Sequence, residues 1–149
     1  EIINIADAVR SRLDGASATM ALMATNGTIH AGFYQRYLST AERSLVVPSP
    51  QIQARIRQAI AAVKVLDLSA ARGHFQDAAQ ALLDQGADRL LLACTELPLA
   101  AQGTAIEGRC LDATACLAEA CVARSLGRTA GFARSREAGS WTSVGSGIS

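Results

Sequence analysis

What this chain has little of narrows its fold before any motif is considered. Aromatic residues make up 4% of its 149 positions, while half of the residues are hydrophobic. The core therefore has to be built from Ala, Leu, Ile and Val. That composition suits helices packed on a parallel sheet and does not suit a β-sandwich. No apolar run is long enough to span a bilayer and no secretory signal pattern occurs, so a cytoplasmic protein with no membrane partner is expected. The net charge is +1 and there is no basic stripe, so no nucleic-acid partner is expected either. Lysine is reduced to one residue, Lys64, among 14 basic side chains. The four cysteines, Cys94, Cys110, Cys116 and Cys121, contain no Cys-x-x-Cys pair; the usual zinc spacing is missing and no metal site is expected. An initial Met is missing as well. The chain opens at Glu1 inside an apolar helical pattern (Ile2, Ile5, Ala6, Val9, Leu13), which leads us to expect a fragment of a longer protein.

What is present alternates between two periods. Residues 2–13 have helical spacing, with Asp14-Gly15 as a stop signal. Residues 18–24, apolar except for Thr19, read as a buried strand, and a helix is predicted from about His30 to Leu38. Leu45-Val46-Val47 is a second short strand, stopped by Pro48-Ser49-Pro50. Ile52, Ile56, Ile60 and Val63 make one stripe of a third helix, with Ser49 as its cap and Pro50 in its first turn. A fourth helix runs from about Ser69 to Asp84 and stops at Gly86. Arg89 to Ala93 form a buried strand, and Asp112 caps a last helix that runs to Ala123. Strand and helix alternate, which predicts an α/β fold: a parallel sheet flanked by helices, with right-handed crossovers. We divide the chain into an α/β domain over residues 1–110, a terminal helix over 111–124 and a Ser/Gly/Arg-rich tail over 125–149. The tail has no period and is expected to be flexible. Cys110, Cys116 and Cys121 are assigned to a helical segment, as small hydrophobes without disulfides.

Two strand ends carry the chemistry. Leu90-Leu91-Leu92-Ala93-Cys94-Thr95-Glu96-Leu97-Pro98-Leu99 delivers a thiol to the carboxyl end of a buried strand, where open α/β sheets bind ligands. A thiol becomes a useful acid or base when its pKa approaches neutrality, and backbone N–H groups of the following loop would favour the thiolate. Thr95 can donate to a neighbouring anion, and Glu96 can orient a group or relay a proton. The bland alternative is a buried cysteine in front of a strand-ending proline. The second site is the loop Thr25-Asn26-Gly27-Thr28, whose hydroxyls and glycine before a helix suit a carboxylate or phosphate. It lacks the lysine and glycine spacing of a Walker loop, and its bland reading is a capped turn with Thr28 as the cap. Lys64, at the end of its helix, is either a solvated helix-terminal cation or a cation aimed at a substrate carboxylate.

The order Ala-Thr-Asn-Gly-Thr-Ile, then Gly86-Ala87-Asp88, then Leu-Leu-Leu-Ala-Cys-Thr-Glu-Leu-Pro-Leu resembles the C-terminal half of the aspartate/glutamate racemase superfamily, in its aspartate racemase and broad-specificity amino-acid racemase branch. The resemblance covers about residues 1–124. It implies two pseudo-symmetric α/β domains facing across a cleft, each giving one cysteine. One thiolate removes the α-proton and the other thiol returns a proton on the opposite face, with no cofactor. Cys94 would be the second of these cysteines. Thr95 would help hold the substrate, and Glu96 stands where the family carries an acidic or histidine assistant. Thr25, Asn26, Gly27 and Thr28 would bind the α-carboxylate, Thr28 foremost, and Lys64 a side-chain carboxylate. A glycine that the resemblance implies shortly after Lys64 is absent.

The Cys-Asn-Thr setting of the family's first cysteine is also absent from the chain. By this resemblance the chain is a cofactor-independent isomerase fragment, inactive by itself, whose terminal helix packs toward a missing domain and whose full-length form is a homodimer acting on a small amino acid. Two alternatives stand beside it. One is a decarboxylase or maleate-type isomerase of related fold, and the other is a non-catalytic α/β domain that binds a small anion.

Overall fold

A computed structural model of the chain describes residues 2–13, 19–40 and 43–127. The stop signal at Asp14-Gly15, the first residue of the 18–24 run and nearly all of the 125–149 tail lie outside the described residues. The element order is α1 (Ile5–Ser11), β1 (Thr19–Ala24), α2 (Asn26–Ala31), α3 (Phe33–Leu38), β2 (Ser44–Val46), α4 (Pro50–Lys64), α5 (Leu68–Asp84), β3 (Arg89–Ala93), α6 (Leu97–Ala101), β4 (Cys110–Asp112) and α7 (Ala113–Ser125), with a short 3-10 turn at Glu107–Arg109. The four strands pair in the order β2-β1-β3-β4, all parallel. The expected α/β class is what the chain adopts.

Alternation along β1 and β3 divides the core into two layers, as the period of two in a strand requires. Ala21, Met23, Leu90 and Leu92 face α4, α5 and α6, where Ile56, Phe75, Leu82 and Leu97 are fully buried. Met20, Leu22, Ala24 and Leu91 face α1, α3 and α7. In α7 the stripe Ala113, Cys116 and Ala120 is buried in this second layer, while Val122 and, just past the helix, Leu126 are large apolar side chains left exposed. Small residues at these helix contacts explain how so few aromatics suffice.

Gly86-Ala87-Asp88 has a structural task. Gly86 takes φ +96° after α5, a conformation that side chains resist. Ala87 is buried. Asp88 then grips the start of the neighbouring strand: its N–H donates to the Thr19 carbonyl at 2.7 Å, and its carboxylate accepts from the Thr19 N–H at 2.8 Å. This clamp holds β3 beside β1 in a register that pairs Ala24 with Ala93.

The sequence reading needs correction at several points. The helix predicted from His30 to Leu38 is two helices, broken at Gly32 with φ +63°. Cys110 lies on the short edge strand β4 and not on a helix, because three residues are too few to show a period. Cys121 is exposed and so is no core thiol, whereas Cys116 is buried; all four cysteines are free thiols. Pro98 does not end β3 but sits in the first turn of α6, where its missing N–H costs nothing.

Candidate active site

β1 and β3 are the two central strands. The chain leaves β1 toward β2 on one side and leaves β3 toward β4 on the other, so the crevice between their carboxyl ends is the switch point at which α/β sheets bind ligands. Because Ala24 pairs with Ala93, Thr25 and Cys94 are the first residues past two adjacent strand ends, at the same height. The register therefore brings together two sequence-predicted sites separated by almost seventy residues.

At the β3 end, the half-buried Cys94 thiol donates to Glu96 Oε2 at 2.9 Å, and Thr95 Oγ1 donates to the same oxygen at 3.1 Å. The anion that Thr95 serves is thus the Glu96 carboxylate. Lys64 Nζ lies 3.8 Å from Glu96 Oε1. Lys64 is the last residue of α4, which packs against α5 and α6 and so carries the cation to the loop after β3. The Lys64 side chain is 65% exposed, so this pair is weak in energy and serves as electrostatic bias.

The electrostatics run opposite to the expectation for the thiol. Burial first, and then the hydrogen bond to the Glu96 carboxylate, push Cys94 up from an ordinary 9.0 to about 11; the backbone N–H of Glu96 and the Lys64 charge pull the other way and are outweighed. Glu96 is held below the usual carboxylate range, chiefly by the hydrogen bond from Cys94. The resting pair is a protonated thiol on an ionised carboxylate, which the short loop does not overturn because it supplies few amides. Cys110 is also raised to about 11, by burial and then by Glu107, but its thiol points to the Ile106 carbonyl at 3.5 Å on the edge strand.

The β1 end is built without charge. Thr25 Oγ1 accepts from the Thr28 N–H at 3.3 Å, which makes Thr25 the cap of α2; Thr28 is inside the first turn and its hydroxyl lies 3.0 Å from that of Thr25. The sequence reading had Thr28 as the cap. The segment 25–28 is therefore a helix start with Asn26 and Gly27 exposed, and not an open loop. Sequence reasoning missed Gln53. Its Nε2 donates at 2.9 Å to both the Ala24 carbonyl and Asn26 Oδ1, so a buried glutamine of α4 holds the end of β1 in place. The signal was available: Gln53 falls beside Ile52 on the apolar stripe, three residues before Ile56 and seven before Ile60, and a polar residue in a core position implies partners.

Among the described residues no group of three or more His, Cys, Asp or Glu side chains could hold a metal ion, and no helix is long and apolar enough to cross a membrane.

Comparison with known proteins shows the family and the fold. The Asp/Glu/hydantoin racemase family matches residues 2–121. An uncharacterized protein encoded in the pnlA 3′ region of Pectobacterium carotovorum subsp. carotovorum is 32% identical over 100 residues, which make up 66% of this chain and 67% of that protein. Among solved structures, the aspartate racemase of Picrophilus torridus superposes with a TM-score of 0.67 at 29% identity, over 84% of this chain and 52% of the racemase. An aspartate racemase homologue from Pyrococcus horikoshii OT3 shares the fold, with a TM-score of 0.64 at 21% identity over 83% of this chain and 56% of that one. The chain spans a little over half the length of these two solved structures. With a strand-end thiol at the sheet's switch point and a family match over most of its length, this chain belongs to the Asp/Glu/hydantoin racemase family.

Proposed function

We propose that this chain is one half of a cofactor-independent amino-acid racemase of the aspartate/glutamate type, with Cys94 as the acid/base on one face of the substrate. The observation that carries this reading is the thiol at the switch point, donating to an ionised Glu96 that is backed by Lys64. Cys94 rests as the protonated partner, so it acts first as the proton donor. The α-carbon loses its proton to a thiolate on the opposite face and takes one from Cys94 Sγ, and the Sγ–H bond breaks as the new Cα–H bond forms. Cys94 is then a thiolate of high basicity, suited to remove the proton in the reverse direction. The opposing thiol comes from a second domain, since this chain has no Cys-Asn-Thr setting.

In this reading, Thr28 and the exposed amides of the α2 first turn receive the α-carboxylate, with Thr25, Asn26 and Gly27 shaping that turn. Lys64 exchanges Glu96 for the side-chain carboxylate of an acidic substrate. Thr95 keeps the Glu96 carboxylate oriented. Fixed donors at these two strand ends, shielded from water once a second domain faces them, would supply the stabilisation that a carbanion-like transition state needs.

The test is solvent-deuterium incorporation at the α-carbon of L- and D-aspartate and glutamate, with maleate and an arylmalonate as parallel substrates. The chain by itself is expected to give no sustained interconversion. Joined to a domain carrying the Cys-Asn-Thr cysteine, it is expected to exchange both enantiomers and to lose exchange with Cys94→Ser. Interconversion by this chain that survives Cys94→Ser would overturn the reading, and turnover of maleate or arylmalonate without aspartate exchange would replace it with the isomerase or decarboxylase alternative.

A further inference from the structure

Toward the other end of α4 from Lys64, a cavity of about 310 Å³ opens between α2 and the first turns of α4. That is the lower end of the range for small-molecule sites. Its apolar wall is Ile29, Pro48 and Pro50, and its polar lining is Asn26, His30, Gln53 and Arg57. Arg57 is seven residues before Lys64, about 10 Å along the helix axis, and neither Cys94 nor Glu96 contributes to the lining.

The charge balance of this cavity is one-sided. The lining contains a guanidinium and an imidazole and no carboxylate. Among the described residues neither Arg57 nor His30 has a hydrogen-bond or ion-pair partner. Several other arginines are partnered: Arg10 pairs with Asp7, Arg12 with Glu119, and Arg109 donates to the Asp88 carbonyl. Asn26 accepts from Gln53 through Oδ1, which leaves its NH₂ as a donor. A neutral imidazole still offers one ring N–H, so the cavity presents three kinds of donor. Pro50 is at the N-terminal end of the fifteen-residue α4, and a helix start favours negative charge. Gln53 is buried, with its Nε2 committed to Ala24 and Asn26 and its Oε1 without a donor from the described residues. Through the two Nε2 bonds the amide ties this lining to the end of β1; its Oε1 is an acceptor and takes no part in holding an anion.

We propose that this cavity is a second binding site, for a small organic carboxylate with a short hydrocarbon chain. Arg57 engages the carboxylate through two parallel N–H groups, His30 and Asn26 complete its donors, and the chain lies on Ile29, Pro48 and Pro50. The apolar wall separates this ligand from inorganic anions, and the site needs no α-ammonium group. It stands independently of the racemase reading, sharing Asn26 with it.

Butyrate is the probe, followed by two-dimensional amide NMR of the full chain. We expect saturable shifts at Ile29, His30 and Arg57, with a dissociation constant on the order of millimolar, as small single-charge ligands give. Arg57→Gln should weaken binding at least about tenfold, and Arg57→Lys by less, since a lysine keeps the charge and loses the fork. Cys94→Ser and Lys64→Ala should leave the dissociation constant unchanged, which separates this site from the thiol site. Arg57 is exposed, so its replacement leaves the fold intact, and unchanged dispersion of the remaining amides verifies this. The proposal is overturned if butyrate gives no saturable shifts, if Arg57→Gln binds as the wild type does, or if Lys64→Ala removes binding. Inorganic phosphate shifting the same amides more tightly than butyrate overturns the assignment to an organic carboxylate.

Discussion

The ends of β1 and β3 stand side by side at one height, each leading into a short helix, yet they are built for different tasks. After β1 the chain spends its polar groups on geometry: Thr25 caps α2, and Gln53 ties the Ala24 carbonyl to Asn26. No charged side chain takes part. After β3 it spends them on protonation: a thiol donates to a carboxylate, a hydroxyl donates to the same oxygen, and an ammonium lies behind. One frame therefore yields one strand end tied by uncharged hydrogen bonds and another that is titratable. The difference teaches that parallel register sets where groups meet, while the two or three residues past each strand set what they can do.

Three substitutions should each disturb one strand end and leave the other untouched, and a fourth, just past α4, should disturb neither. The largest effect belongs to Gln53→Ala. It leaves the Ala24 carbonyl without its buried donor and should cost about 1–3 kcal/mol in a urea titration, with no change in the Cys94 titration. A normal stability would show that the end of β1 is held by something else.

Next is Glu96→Gln. Removing the carboxylate takes away both the strong acceptor that favours the neutral thiol and the negative charge beside it. The Cys94 pKa should fall from about 11 toward 9.0 without reaching it, because burial remains. Iodoacetamide should then label Cys94 several-fold faster at about pH 9, since the thiolate is the nucleophile. Cys110 should keep its value.

The stability profile follows with its sign fixed. A thiol raised by folding is bound to its proton more tightly in the native state. Its contribution is present below the unfolded value of 9.0 and is lost as pH rises through about 11. Denaturant midpoints should fall across that window, and Glu96→Gln should make the fall shallower. A steeper fall would mean that the carboxylate was not what held the proton.

Thr25→Ala removes the cap of α2 and should cost about 1 kcal/mol, again without moving the thiol. The smallest effect is a gain. Leu66, two residues after Lys64, adopts φ +61° and is 83% exposed. This is the left-handed position where the racemase resemblance implied a nearby glycine. Leu66→Gly should relieve about 1 kcal/mol of strain, partly offset by the entropy that glycine loses on folding. A net loss of stability would show that the exposed leucine packs on something.

Much of the frame was legible in the residues. Phe75, Ala78, Ala79 and Leu82 repeat at helical spacing and are buried in α5 as that spacing requires. Ser49, followed by Pro50, marked the start of α4. The elements that escaped were those too short to carry a period: α6, β4 and the break at Gly32. Within the site, the residue identities at both strand ends were legible, because a cysteine or a hydroxyl run after a buried strand is conspicuous. Gln53 escaped because its partners are more than 25 residues away, at the end of β1.

By itself, the sequence determined the fold class, the two-layer core, the helix caps at Ser49 and Asp112, and the thiol at the end of β3. These depend on local spacing and on hydrophobic period, which are properties of neighbours in the chain. Only the tertiary structure decided which residues face one another. The clamp of Asp88 on Thr19 set Thr25 beside Cys94, and α4 brought Lys64 to Glu96 while leaving Arg57 unpaired at the cavity. It decided the protonation of Cys94 as well: the nearest amides favour a thiolate, but burial and the carboxylate of Glu96, folded back onto the sulfur, keep the proton where it is.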